Sequence, residues 1–243
     1  MIKFFRKIRQ RLLSENKFSK YLIYAIGEIV LVVIGILIAL SINNANDFEN
    51  QRQKEITLLN EMSRNLQIDL KDLNYNIKGC AERIKANEII LKALQERLPM
   101  NDSLKPYYGN ILGNFQLSNN TAAWENLKSV GMDLVSNDSL RNAISNLYTV
   151  KYTYLENVTK RVDDGHQWNT FYPQFLDLIN VDQLWVSAEP VNHKALMDNR
   201  KFQETLKMNL FIRNYKLDQY KSIHKNVNSL LGQIERHMMT LNN

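Results

Sequence analysis

The sequence is poor in whatever closes, staples or breaks a fold. Among 243 residues there is one cysteine, Cys80, so no intramolecular disulfide can form and stability must come from packing. Four prolines and eight glycines are few interruptions for this length, and period-2 apolar runs long enough for strands are missing. That combination excludes a turn-rich β fold and suits helices. The short signatures of familiar chemistry are missing too. There is no G-x-S-x-G, no glycine-rich phosphate loop, no H-E-x-x-H and no Cys-x-x-Cys. None of the four histidines follows a glutamate by three residues, as the carboxylate-bridged metal site of a di-iron bundle requires. The stretch that most resembles metal chemistry, Asp163-Asp164-Gly165-His166, places adjacent carboxylates about 100° apart on a helix, where they diverge. The chain therefore reads as a non-enzyme, with no cofactor and no metal.

What the sequence does have is grease in one place. Residues 21–42, YLIYAIGEIVLVVIGILIALSI, carry a single charge, Glu28. At about 1.5 Å per residue they reach roughly 33 Å, enough to cross a hydrocarbon layer of about 30 Å. Ahead of them Lys3, Arg6, Lys7, Arg9, Arg11, Lys17 and Lys20 oppose only Glu15, a net +6. The chain's total is also +6, so only +1 remains beyond Ile42 once Glu28 is counted. The positive-inside bias puts the N-terminus in the cytoplasm and the bulk of the chain across the membrane. Because the basic excess belongs to the tail, no nucleic-acid partner is expected. A cleaved signal peptide, cut after Ala39-Leu40-Ser41, fits less well, since the run is longer than an h-region of about 7–15 residues and holds a carboxylate.

Both parts of this segment suggest partners. In residues 2–13, Ile2, Phe5, Ile8 and Leu12 recur at helical spacing. Lys3, Arg6, Lys7, Arg9 and Arg11 are then placed to meet anionic lipid headgroups or, alternatively, a cytoplasmic protein. Inside the span, Glu28, Val32, Gly35 and Ala39 share one face, with small residues that admit a second helix and an acid that lipid would not tolerate. That face is expected to meet its own copy or another membrane protein. A proton-coupled role for Glu28 is the alternative.

Beyond the span, positions 56, 59, 63, 66, 70, 73, 77, 80, 84, 87, 91, 94 and 98 alternate spacings of 3 and 4. All but Ser63 and Asn87 are Ile, Leu or Cys. This is a heptad seam, widened by Leu58, Ile68 and Ile90 beyond what a two-stranded coiled coil needs. Cys80 sits in it as a small hydrophobe. A helix over about 47–98 ends at Pro99, and residues 99–120 read as a loop. Thr121 caps a helix closed by Gly131, and Asn137 or Asp138 caps the next, burying Trp124, Leu127, Leu134, Leu140, Ile144 and Leu147. That helix runs to about 180 with a break near 165–173 at Gly165 and Pro173. A connection over 181–197 leads to a last helix over 199–241. The fold class is all-α: an N-terminal transmembrane helix, then an extracytoplasmic antiparallel bundle over 43–243 of three long helices plus short ones. If the long helices alternate in direction, the 172–197 connection lies near the membrane and the C-terminus far from it.

The opening MIKFFRKIRQRLLSENKFSKYLIYAIGEIVLVVIGILIALSINN and the stretch TAAWENLKSVGMDLVSNDSLRNAISNLY resemble an uncharacterised family of small single-span envelope proteins from Bacteroidetes. The resemblance implies a bacterial inner membrane protein with a periplasmic domain, and in that setting Asn101, Asn119, Asn137 and Asn157 are not glycosylated. It carries over no activity and no functional residue. The reading that follows is a non-enzymatic scaffold or accessory subunit of an envelope complex. Its rivals are a ligand-sensing module that signals through the span and an ion-coupled subunit built on Glu28.

Overall fold

The structure is a computed structural model that describes residues 18–242. It is almost entirely helical and divides into two compact units, residues 1–54 and 55–243. Helix α1, Phe18–Gln95, contributes to both. No proline occurs before Pro99, and the helix stops with Arg97 in the left-handed region at φ 56°. There the Leu98 N–H donates to the Ala93 carbonyl at 2.9 Å and the Arg97 N–H to Leu94 at 3.3 Å, the paired bonds that close a helix on a left-handed residue.

In the first unit α1 carries an apolar window of mean hydropathy 2.8, none of it buried, and is long and apolar enough to cross a membrane. Lys3, Arg6, Lys7, Arg9 and Arg11 lie outside the described residues.

The second unit is a bundle. After α1 come a 3-10 turn at Asp102–Leu104, α2 (Lys105–Asn110), α3 (Ala122–Val130), α4 (residues 138–178), β1 (Ile179–Gln183), β2 (Ser187–Pro190), α5 (His193–Met197) and α6 (Arg200–Leu241). Asn137 caps α4 by accepting from the Leu140 N–H at 3.0 Å, as its position suggested. Thr121 makes no such bond, and Asn120 Oδ1 accepts from the Ala122 N–H instead.

Three expectations are corrected. Helix α4 does not break near 165–173. It absorbs the strain in three π-helical turns, Leu147–Tyr152, Val158–Asp163 and Gln167–Phe171. Pro173 sits in the first α-helical turn after the last of them, where a missing N–H costs least. The 181–197 connection contains a small antiparallel hairpin, Ile179 opposite Pro190, with a bulge between Val181 and Gln183. And within the second unit the long helices do not alternate in direction as expected, since α4 runs parallel to α1. Glu55, where the second unit begins, accepts from the Ser136 N–H at 2.9 Å and pairs with His237 at 2.8 Å, so the end of α6 lies beside that entry. The hairpin packs at the opposite end, in a cluster with Ile90, Leu94 and Tyr108.

The parallel course of α4 has a single cause. Residues 111–121 are not a compact loop but a return segment that runs back along α1, so α4 climbs where a descent was expected. The apolar core is split accordingly. One cluster joins Leu58–Leu73 of α1 to α3, the start of α4 and the end of α6, and another joins Ala86–Leu94 to α2, the end of α4 and the start of α6. Between them the buried layer is polar.

Candidate functional site

The return segment enters the bundle as bare backbone, and backbone groups without partners are costly when buried. Side chains from two helices supply those partners. On the α6 side, carbonyls two residues apart are satisfied in sequence: Ile111 by Asn209 Nδ2 at 3.3 Å, Gly113 by Arg213 Nη2 at 2.7 Å, and Phe115 by Tyr220 Oη at 2.5 Å and Lys216 Nζ at 3.3 Å. That alternation is the period of an extended chain. On the α1 side, Asn87 Nδ2 donates to Ile111 at 3.2 Å, while the N–H groups of Ser118 and Asn120 donate to Asp72 at 2.8 Å and Asp69 at 2.7 Å. The order along α1 descends as the order along α6 ascends, so the segment runs antiparallel to one helix and parallel to the other. Gly79 lets it approach: a Cβ there would strike the Phe115 ring.

The donors are themselves knitted together. Asn209 Oδ1 accepts from Arg213 Nε at 3.1 Å and from Gln167 Nε2 at 2.7 Å, and Asn209 Nδ2 reaches Asn87 Oδ1 at 2.8 Å. Gln167 Nε2 also donates to Asp163 Oδ1 at 3.1 Å, and Asp163 Oδ2 pairs with Lys216. Lys216 further donates to Asn114, whose amide donates to Asp164. A second, smaller node ties Tyr152 Oη to Asp69 Oδ2 at 2.6 Å.

Asp163, Lys216, Arg213, Asn209 and Asn87 are fully buried. Burial pushes the Lys216 amine below its ordinary value, against the opposing pull of Asp163. It lowers Arg213 likewise, and lowers Arg83 with the like charge of Arg213 adding to the effect. Burial holds the Asp69 carboxyl above its ordinary value and the Cys80 thiol above its own, which leaves that thiol protonated and inert.

The π turns of α4 serve this layer. Tyr152, Thr159, Asp163 and Gln167 all face inward from them, in keeping with the use of such turns to re-aim side chains at special sites. A cavity of about 230 Å³ opens beside the layer, between Gln116–Asn119 and α4 at Tyr152–Lys160. It is large enough for a few waters or a small polar molecule.

The sequence-derived site residues lie elsewhere. Glu28, Val32, Gly35 and Ala39 are on α1 in the first unit, and a Cβ at Gly35 would meet nothing within 4 Å. Asp163 and Asp164 are committed to Lys216 and to Asn114 and Gln116, and no metal-holding group of three or more His, Cys, Asp or Glu occurs among the described residues.

The reading from apolar seams passed over the polar layer because its members are polar. The signal was nevertheless present. Met62, Asp69, Asn76, Arg83 and Ile90 stand seven apart on one buried line of α1, and Leu206, Asn209, Arg213, Lys216, Tyr220 and Ile223 keep the 3-and-4 spacing of a core stripe.

No curated protein and no solved structure matches this chain. Residues 28–167 match a known family, over α1 from Glu28 to its end, α2, the return segment, α3 and α4 as far as Gln167. That stretch covers more than half of the sequence and takes in the α1 and α4 sides of the polar layer, and on it the chain belongs to the Family of unknown function (DUF6090).

Proposed function

We propose that this protein is a membrane-tethered, non-enzymatic binding module, a scaffold or accessory subunit of a bacterial envelope complex. Its N-terminus is cytoplasmic and its bundle periplasmic, in the inner membrane. The observation that carries the reading is the surface of the first unit. From Leu22 to Ile42 large apolar side chains are exposed on every side of α1, as in Ile23, Ile29 and Leu31. A helix apolar all round has to be covered by lipid or protein. Lipid suits most of that circumference, and the Glu28, Val32, Gly35, Ala39 face suits a second helix.

The second unit supports a binding role over catalysis. The bonds that its buried ionisable groups make go to its own backbone and to one another, and the thiol of Cys80 is neutral and enclosed. Photo-crosslinking in intact cells from position 32, with position 34 as the control on the opposite face, tests the proposal after alkaline extraction of membranes. The chain should stay with the membrane pellet, and position 32 should give a discrete adduct with a second copy or one membrane protein. Recovery of the chain in the soluble fraction, or equal and diffuse labelling from both positions, would refute it.

A further inference from the structure

Arg83 on α1 and Arg213 on α6 are 9% and 0% exposed, and both reach the turn around Gly113. Arg213 spends Nη2 on the Gly113 carbonyl and Nε on Asn209, and its Nη1 is buried without a partner. Arg83 spends Nη1 on the carbonyl and side-chain oxygens of Asn110 and lies over the Phe115 ring at 5.6 Å, and its Nε is likewise buried without a partner. Charge is unbalanced as well. The layer buries three cations, Arg83, Arg213 and Lys216, and two carboxylates: Asp163, whose oxygens are engaged by Lys216 and Gln167, and Asp69, which is held at the smaller node by Tyr152 and the Asn120 N–H. Asp164, half-buried at the margin, is held by Asn114 and Gln116. Native interiors do not leave guanidinium groups both desolvated and uncompensated.

Gly113 is the point on which these groups converge. It has φ +90°, and a Cβ built on it would stand 3.0 Å from the indole Nε1 of Trp185 and 3.7 Å from Arg83 Nε. Trp185 hangs over it from the hairpin turn, itself at φ 65° and half exposed. Trp185 Nε1 and Arg83 Nε thus approach Gly113, while Arg213 Nη2 holds its carbonyl. Water there would accept two hydrogen bonds but neutralise nothing.

We propose that a small singly charged anion, a halide or a carboxylate, binds over Gly113 between Arg83 Nε and Arg213 Nη1 and is covered by Trp185. The site is reached from solvent on the Trp185 side and locks α1, α6, the return segment and the hairpin together. Anion binding is linked to folding, since the unfolded chain offers no such cradle.

The test uses full-length protein in mild detergent, with sodium chloride or sodium acetate exchanged at fixed ionic strength against the sodium salt of a bulky sulfonate, 3-(N-morpholino)propanesulfonate. Thermal unfolding is followed by circular dichroism. Wild type should show a saturable rise in Tm. Arg83→Met, checked for native helicity, should lose it, and Trp185→Phe should need roughly five- to tenfold more anion for the half-effect, as one neutral hydrogen bond is lost. A Tm indifferent to the exchange, or an equal response in wild type and Arg83→Met, would overturn the proposal. Should Arg83→Met fail to fold, wild-type crystals grown in sodium bromide decide the matter. An anomalous peak beside Arg83 Nε and Arg213 Nη1 is expected, and water or empty density there overturns it.

Discussion

Removing the ammonium of Lys216 while Asp163 stays is the most direct probe of the polar layer. In Lys216→Met the carboxylate keeps only Gln167 Nε2, at 3.1 Å, and remains fully buried. Breaking one side of a buried pair costs about 3–5 kcal/mol, and the lower end, about 3 kcal/mol, applies here because Arg213 still acts on the Asp163 charge. For a unit of this size that is a fall in Tm of roughly 6–12 °C. Asp163→Leu should cost about 2–3 kcal/mol, since burial already lowers the pKa of Lys216 and the amine can shed its proton. The double variant Lys216→Met/Asp163→Leu removes both charges. The Phe115 carbonyl still accepts from Tyr220 Oη at 2.5 Å, so what remains is the loss at Asn114 and Gln167, about 1–2 kcal/mol. The double variant is therefore expected to be more stable than Lys216→Met alone, with a coupling of at least about 2 kcal/mol. Thermal unfolding of the four proteins by circular dichroism at neutral pH measures it. If the double variant falls as far as the two single losses added together, the pair is not coupled and the account of the layer is wrong.

Three further outcomes follow from the geometry. The Asp69 carboxyl is held above its ordinary value, chiefly by burial. Its folded form therefore keeps a proton longer than the unfolded chain, and its contribution, complete below about pH 3.8, is lost as pH rises through the folded value. The Tm of wild type relative to Asp69→Asn should fall as pH is raised from 4 and then level off, and a flat or rising difference contradicts this. At Gly109 a Cβ would stand 2.6 Å from the Ser187 nitrogen and 2.8 Å from the Val186 carbonyl carbon, backbone atoms that cannot swing aside. Gly109→Ala should cost about 3 kcal/mol, at the upper end of overpacking, and speed proteolysis at the hairpin. In the apolar part of α1, Gly35→Leu should abolish the adduct formed from position 32 in cells, whereas Ile36→Leu should leave it unchanged.

Much of the scaffold was written in apolar spacing. The seam from Leu59 to Leu94 is buried at most of its positions, the Asn137 cap is where a cap was expected, and Trp124, Leu127, Leu140, Ile144 and Leu147 are core. Leu134 is only partly buried, and Val135 takes the enclosed place beside it. What could not be read was anything that depends on nonlocal polar contacts. The course of residues 111–121 leaves no periodic trace, because its partners come from Asn209, Arg213, Lys216 and Tyr220 about a hundred residues away. The hairpin was hidden for a local reason. Its turn places Leu184 and Trp185 where Asn-Gly would announce it, and only Ile179 of β1 is buried, so no alternation appears.

The polar layer also explains why the return segment has one register. An apolar seam would accept an extended chain slid by two residues at little cost, since each side chain finds a similar neighbour. Slid that far, the carbonyls of residues 111, 113 and 115 would no longer match the donors of α6 as a set. The N–H groups of Ser118 and Asn120 would likewise leave Asp72 and Asp69. Each loss strands a buried group at about 1–3 kcal/mol, so a two-residue slip costs more than a typical domain's whole stability if several bonds fail together. The register in turn fixes the connectivity. With residues 111–121 held antiparallel to α1, α3 must begin near Asp69 and α4 must climb, and α6 then descends to bring His237 beside Glu55. The charged residues that a hydrophobicity pattern passes over are thus the ones that choose among the bundle topologies the apolar residues permit.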